Sequence, residues 1–267
     1  MNNTIAIIQA RMGSNRLPGK VLFKACEKTF LELLIERVSS AKTIDKIVIA
    51  TSIKKQDDEI VKLCKKIGVS FFRGSEKDVL GRYKQASDKF NAKIIVRLTG
   101  DNPVIDPIII DKVVKKFHSE KFDYVSNSYP YPRTYPEGFS VEVFSKKILD
   151  EGYFKMKKPS DREHVSFFMW MQPKKYKIFR VDNKKDISKY RLTLDYEEDY
   201  KIIKKVFENF YSIDHLFSMD KIISWLEKNP KIAKINEHIR PNQGWKKALE
   251  EDKIKGFNEY DFKKYVE

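Results

Sequence analysis

The segment Thr4-Ile5-Ala6-Ile7-Ile8-Gln9-Ala10-Arg11-Met12-Gly13-Ser14-Asn15-Arg16-Leu17-Pro18-Gly19-Lys20 decides how the rest of the chain is read. Its first part, Thr4–Gln9, is almost continuously apolar. That is the pattern of a strand buried on both faces of a parallel sheet, not the alternation of a half-exposed strand. The loop that follows has Gly, Ser, Asn and Gly for tight turns, two arginines and a lysine, and no acidic residue. Exposed backbone N–H groups backed by fixed cations form a cradle for a polyphosphate. The loop lacks both the Gly-x-x-x-x-Gly-Lys-Ser/Thr spacing of a P-loop and the Gly-x-Gly-x-x-Gly of a dinucleotide fold. An ordinary basic surface loop is the other reading.

The same rhythm extends outward from this segment. Residues 46–51, 70–73, 94–98 and 124–126 read as strands. Between them, 30–41, 55–67, 77–90 and 107–117 carry apolar residues at i, i+3, i+4 spacing and read as helices. Strands alternating with helices predict an α/β fold with a mostly parallel, helix-covered mixed sheet. After about residue 127 the pattern changes: 128–138 is rich in Pro and Tyr, and 139–144 reads as an alternating strand. A helix, strand-like runs at 177–181 and 191–194, and helices at 197–210 and 219–228 complete the chain, with a charged C-terminal extension over 241–267. No repeat or low-complexity linker divides it, so residues 1–240 are expected to form one domain.

Composition narrows the function classes. A chain of 267 residues with 41% hydrophobic and 13% aromatic content buries a large core and is not disordered. No apolar run approaches the ~18 residues of a membrane span, and the chain opens directly on a strand, so a cytoplasmic protein without membrane insertion is expected. Two cysteines, Cys26 and Cys64, are too few for a disulfide framework or a cysteine zinc site and are expected in the core. The net charge of +15 raises nucleic-acid binding as a class. However, the lysines scatter over helical surfaces, whereas Arg11, Arg16, Arg73, Arg82, Arg97, Arg133, Arg162 and Arg191 lie in or beside loops that follow strand-like runs. In a chain that otherwise uses Lys, such positions point to the planar fork that grips phosphate or carboxylate. A small anionic ligand is the favoured reading, and no nucleic-acid partner is expected.

Ligands of open α/β sheets bind beyond the carboxyl ends of the strands. Asp101, flanked by Gly100 and Pro103, follows the strand at 94–98, and Asp195 follows 191–194. For Asp195 alone a helix N-cap is the bland reading. Two carboxylates at one sheet edge instead suit Mg²⁺, which takes one or two carboxylates plus substrate phosphates and water. Gly74-Ser75 either offers polar groups to a nucleotide or simply caps the next helix. Arg82 is either a ligand or a surface arginine, and Arg97 at the end of a buried strand needs an anionic partner. Arg133, Glu142, Arg162 and His164 are candidates for a second substrate, and Tyr129-Pro130-Tyr131-Pro132 for a rigid cover or a dimer contact.

These motifs, in order, resemble the cytidylyltransferases of the spore-coat polysaccharide biosynthesis protein F type, relatives of CMP-KDO synthetase and acylneuraminate cytidylyltransferase. The resemblance rests on Gln9-Ala10-Arg11 through Arg16-Leu17-Pro18-Gly19-Lys20, Phe72-Arg73-Gly74-Ser75 through Arg82-Tyr83, Val96-Arg97-Leu98-Thr99-Gly100-Asp101-Asn102-Pro103, Arg133 through Gly138, Arg162-Glu163-His164-Val165 and Arg191-Leu192-Thr193-Leu194-Asp195. It implies a nucleotide-diphospho-sugar transferase (GT-A-like, Rossmann-type) fold and transfer of CMP from CTP to a small acceptor, with pyrophosphate released. It also implies a homodimer and Mg²⁺ on Asp101 and Asp195. Arg11, Lys20, Asp101 and Asp195 are the expected catalytic set. Gln9, Ala10, Met12, Gly13, Ser14, Arg16, Gly74, Ser75, Arg82, Arg97 and Gly100 are the expected additional contacts to CTP. Arg133, Glu142, Arg162 and His164 would face the acceptor, a sugar acid or a phosphorylated or phosphonate metabolite. An acidic residue is expected where Ser140 stands. A glycosyltransferase of the same fold, which would show an Asp-x-Asp motif absent from this chain, and a basic RNA-binding protein are the alternatives.

Overall fold

The computed structural model describes residues 3–239 and 243–257. The first half contains β1 (Thr4–Gln9), a short hairpin of β2 (Lys24–Ala25) and β3 (Lys28–Thr29), α1 (Phe30–Ser39), β4 (Lys46–Ser52), α2 (Asp58–Lys66), β5 (Ser70–Gly74), α3 (Val79–Lys89), β6 (Ile94–Thr99), α4 (Pro107–Ser119) and β7 (Tyr124–Ser126). The second half contains β8 (Glu142–Ser145), α5 (Lys146–Lys155), α6 (Pro159–His164), α7 (Phe167–Trp170), β9 (Ile178–Arg180), α8 (Glu197–Phe210), α9 (Met219–Lys228), α10 (Pro230–Ala233) and α11 (Gln243–Ile254). The helix starts follow local chemistry. Thr29 and Glu32 form a capping box on α1, Asp78 and Asp106 cap α3 and α4, and Ser145 and Ser218 cap α5 and α9.

Seven strands form one sheet in the order β5-β4-β1-β6-β8-β7-β9. β1 runs parallel to β4 and β6, and β4 to β5, while β8 is antiparallel to both β6 and β7. The sheet is therefore mixed and mostly parallel, and β1 is an interior strand paired on both sides. Its alternate residues feed two separate cores. Ala6 and Ile8 join Phe30, Leu34, Ile110 and Phe207 on one face, and Ile5 and Ile7 join Leu80, Tyr83, Leu149 and Phe168 on the other. Burial on both faces is why the strand is apolar without alternation.

Three expectations need correction. Residues 191–194 form no strand; a single bridge joins Arg191 to Glu137. Leu192 N–H donates to Glu137 O at 2.8 Å and Leu194 N–H to Asp101 O at 2.7 Å, so two loops replace a ladder. Strand pairing in 139–144 begins only at Glu142, because the side-chain amide of Asn127 takes the place of a neighbouring strand. That amide donates to Phe139 O at 2.7 Å and accepts from Val141 N at 2.8 Å. Within the charged extension, where it is described, 243–254 is helix α11, with Ala248 and Asp252 buried. Of this extension, 241–242 and 258–267 lie outside the described residues. Cys64 is buried as expected, whereas Cys26 sits half-buried in the turn between β2 and β3 at φ 49°. No helix among the described residues is long and apolar enough to cross a membrane.

Candidate active site

A cleft of about 440 Å³ opens at the carboxyl ends of β1 and β6. The loop after β1 is held from both sides. Met12 N–H donates to the buried carboxylate of Asp57 at 2.7 Å, and Met12 O accepts from Ser14 N and Gly19 N, each at 2.9 Å. Gly19 takes φ +72°, a left-handed turn that glycine adopts freely. Gly100 N–H donates to Gln9 O at 2.8 Å, and a Cβ at Gly100 would lie 3.0 Å from that oxygen, so glycine lets the β6 loop close against β1. As a result Gln9, Ala10, Arg11, Ser14, Arg16, Lys20 and Gly100 all line the cleft. Met12 and Gly13 shape the loop without lining it.

Asp101 and Asp195 are brought together across the sheet edge. Asp101 O accepts from Leu194 N and from Thr193 Oγ1, which lashes the two aspartate-bearing loops to each other. Lys20 Nζ lies 2.6 Å from Asp195 Oδ1 and 3.5 Å from Asp101 Oδ2, and Arg16 reaches Asp195 Oδ2 at 2.7 Å. Burial alone would raise the Asp195 carboxyl, yet Lys20 and Arg16 together hold it well below the usual carboxylate range. Asp195 is not the helix cap. Asp199, in the first turn of α8, reaches back to accept from Asp195 N at 2.9 Å and Tyr196 N at 3.0 Å. The Asp195 carboxylate is thereby left for the cleft. Asp199 is fully buried and also accepts from Arg191 Nε at 2.9 Å and Asn236 Nδ2 at 2.8 Å.

The floor of the cleft is a second ion-pair cluster. Arg97 Nη1 pairs with Glu142, which also accepts from Tyr124 OH at 2.7 Å and from Ser166 Oγ. Arg97 Nη2 donates to Gln9 Oε1 at 3.2 Å. Burial pushes this guanidinium down, but Glu142 and nearby tyrosines outweigh it and leave Arg97 more firmly charged than in water. Arg133 pairs with Glu137 at 3.0 Å, and Glu137 also holds Arg191. Among the described residues, Arg11 is the one cation of this cleft without a carboxylate partner. His164 lines the cleft as well. Burial, and to a lesser degree Arg97, lower it to about 3, so it is neutral, and its Nε2 is sealed from water with no hydrogen-bond partner among the described residues.

Some expected residues are placed elsewhere. Arg162 lines no part of the cleft: it pairs with Asp78, donates to Tyr153 O at 2.9 Å and borders a separate shallow surface hollow. On a helix, residues two apart do not share a face, so Arg162 and His164 of α6 point different ways. Gly74 and Ser75 do not line it either, and Asp78 rather than Ser75 caps α3. Ser75 Oγ accepts from Asp78 N at 3.1 Å, and its carbonyl accepts from Arg82. Arg82 is not a surface residue. It is 2% exposed and lines a recess of about 110 Å³ beside the cleft, shared with Gln9, Ala10, Arg11, Val79, Glu163 and His164. Ser140, found where an acid is expected, lines the cleft and accepts from Ser128 Oγ at 2.9 Å. Arg191 was singled out only as one of the loop arginines expected to grip an anion, Glu137 lay inside a motif without a role of its own, and Asp199, four residues after Asp195, was not among the expected site residues.

Residues 5–229 match the family described as Cytidylyltransferase. The chain is 40% identical over 238 residues to an uncharacterized protein of Methanocaldococcus jannaschii, covering 88% of this chain and 95% of the relative. It is 35% identical over 240 residues to the spore coat polysaccharide biosynthesis protein SpsF of Bacillus subtilis, covering 87% and 98%. A solved cytidylyltransferase from Leptospira borgpetersenii superposes with a TM-score of 0.83 at 35% identity, covering 90% of this chain and 99% of that one. The family match over residues 5–229 and these relatives place the chain in the cytidylyltransferase family.

Proposed function

We propose that this CTP-dependent nucleotidyltransferase moves CMP from CTP onto a small acceptor used to build a surface glycan, releasing pyrophosphate. The acceptor is a sugar acid or a phosphorylated or phosphonate metabolite. The observation that carries the reading is the convergence of Lys20 on both Asp101 and Asp195 beneath the Arg11–Arg16 loop. The glycan setting is inferred from likeness to a spore coat polysaccharide protein, a homodimer from the family resemblance, and a cytoplasmic location from the composition.

In the reaction an oxygen of the acceptor forms a bond to the α-phosphorus. The bond from that phosphorus to the oxygen bridging the α- and β-phosphates breaks, and its electron pair leaves with pyrophosphate. The protein's part is positioning and charge neutralisation. Arg11, free of a carboxylate partner among the described residues, and the N–H groups of its loop meet the β- and γ-phosphates. Arg16 and Lys20 turn from Asp195 toward the same oxygens as charge builds on the leaving group. The recess beside α3 takes the pyrimidine, where Arg82 Nε and His164 Nε2, both buried without partners, offer hydrogen bonds to the ring. Glu142 keeps Arg97 and Gln9 fixed beneath the reacting groups.

A divalent metal fits the donor set. Two carboxylates converge on one ammonium, and among the described residues no cluster of three or more His, Cys, Asp or Glu could hold a metal by protein alone. That is the partial, hard-oxygen site magnesium completes with substrate phosphates and water. Asp101 and Asp195 would hold Mg²⁺, which when bound supplies neutralisation of phosphate charge. The test is pyrophosphate release by wild type and Asp101→Asn. Loss of about a hundredfold or more with unchanged melting is expected. A variant within about threefold of wild type refutes the role of Asp101.

A further inference from the structure

The match to the family ends at residue 229, yet α11, beyond that limit, contributes to the cleft. Asp252 fixes its register. This carboxylate is 1% exposed and accepts from Ser160 N at 2.9 Å and Ser160 Oγ at 2.5 Å. Ser160 lies in the first turn of α6, whose own N-cap residue, Lys158, makes no side-chain cap bond. Asp252 therefore satisfies an orphan N–H of another helix, a contact that is costly to lose once buried. Ala248, one turn earlier and fully buried, seats the same face.

With Asp252 pinned, its neighbour Glu251 lines the cleft. Glu251 borders the main cleft but not the recess beside α3. Among the described residues its carboxylate has no hydrogen-bond or ion-pair partner. The cleft cations other than Arg11 are already matched to Asp195, Asp101, Glu142 or Glu137. An anionic group of the acceptor placed directly against Glu251 would meet repulsion, Arg11 being engaged by the phosphates of CTP, whereas an O–H or N–H⁺ donor would meet a waiting acceptor.

We propose that α11 is the selectivity wall of the acceptor site, with Glu251 accepting a hydrogen bond from a hydroxyl or ammonium group of the acceptor and Asp252 holding the wall in place. This rests on the nucleotidyl-transfer reading and deepens it: the acceptor carries a donor group in addition to its nucleophilic oxygen.

The experiment is steady-state pyrophosphate release at saturating CTP by wild type, Glu251→Gln and Asp252→Asn. The acceptors are matched pairs: ethylene glycol phosphate against ethanolamine phosphate, and glucuronate against its amino analogue. Glu251→Gln is expected to raise the acceptor KM about tenfold or more with the CTP KM unchanged. If the donor is an ammonium, the substitution also erases any preference for the amino member of a pair; if it is a hydroxyl, both members lose equally. Asp252→Asn is expected to raise the acceptor KM in the same direction and to speed amide exchange across 243–254. An unchanged acceptor KM in both variants, or a CTP KM that moves together with it, overturns the assignment of Glu251 while the transfer reading stands. Absence of wild-type turnover with every acceptor overturns the transfer reading and this inference with it.

Discussion

Replacing Asp199 by alanine tests how the buried network positions the site. Asp199 is fully buried and its main partner, the Arg191 side chain, is 10% exposed, so solvent screens the pair little. The substitution removes both contacts to Arg191, leaves the Asn236 amide with its bond to Arg191 O alone, and orphans the backbone N–H groups of Asp195 and Tyr196. Arg191 keeps Glu137 and Asp195, which softens the loss of charge pairing. Breaking one side of a buried ion pair costs about 3–5 kcal/mol. At about 2–4 °C per kcal/mol for a domain of this size, the melting temperature should fall by roughly 6–20 °C. Because Asp195 loses its backbone anchor, kcat should also drop at a temperature where the variant is fully folded. In Asp199→Asn the new amide oxygen would still accept from the backbone, but its N–H groups would face Arg191, so this variant should destabilise too, by less. Calorimetry and urea unfolding read the first effect, and pyrophosphate release the second. A loss below about 1 kcal/mol, the scale of a single net hydrogen bond, would show that the network does not carry this load.

Further outcomes follow from the same geometry. Lys20→Met keeps the length of a residue that is 8% exposed but removes its charge, and should lower kcat about a hundredfold or more, while neutralising exposed Lys65 and Lys66 leaves it unchanged. Equal losses from both changes would mean that only the overall positive field matters. In Gly152→Ala the new Cβ would sit 2.1 Å from Cζ of fully buried Phe168. Overpacking of about 1–3 kcal/mol then exceeds the ~0.5–1 kcal/mol gain of alanine in a helix, and the urea midpoint should fall. His164 titrates at about 3 when folded and ordinarily near 6.5 when unfolded. The unfolded chain thus binds a proton the folded one does not, and stability falls as pH drops from ~6.5 toward 3, by up to about 1.4 kcal/mol per pH unit. His164→Gln should flatten that slope, and an unchanged pH–stability profile would refute the buried neutral imidazole.

The first half of the fold was legible because strands buried on both faces leave unbroken apolar runs and the helices between them carry their own caps. The loop after β1 was legible through its glycines and its arginines in a lysine-rich chain. What sequence reading left open or misplaced turns on pairing at a distance. Residues 191–194 look like a strand, but their N–H groups find Glu137 and Asp101 carbonyls in loops rather than a ladder. Asp195 could be cap or ligand from sequence alone, and only the position of Asp199 assigns the capping to the latter. Arg162 shares a motif with His164, but helical geometry sends it to Asp78. Glu251 sits in a charged segment without a strong period, and its place in the cleft depends on Asp252 finding Ser160 at a sequence distance of 92 residues.

The most direct test of the transfer reading is to follow CTP labelled at its α-phosphorus, in parallel with CTP labelled at its γ-phosphorus, through a reaction with an active acceptor. Transfer of CMP puts the α-label into the acceptor product and the γ-label into pyrophosphate, with CTP used in preference to UTP. An α-label that stays in free nucleotide, or a γ-label found in the acceptor, would contradict attack at the α-phosphorus and with it the roles given to Lys20, Asp101 and Asp195.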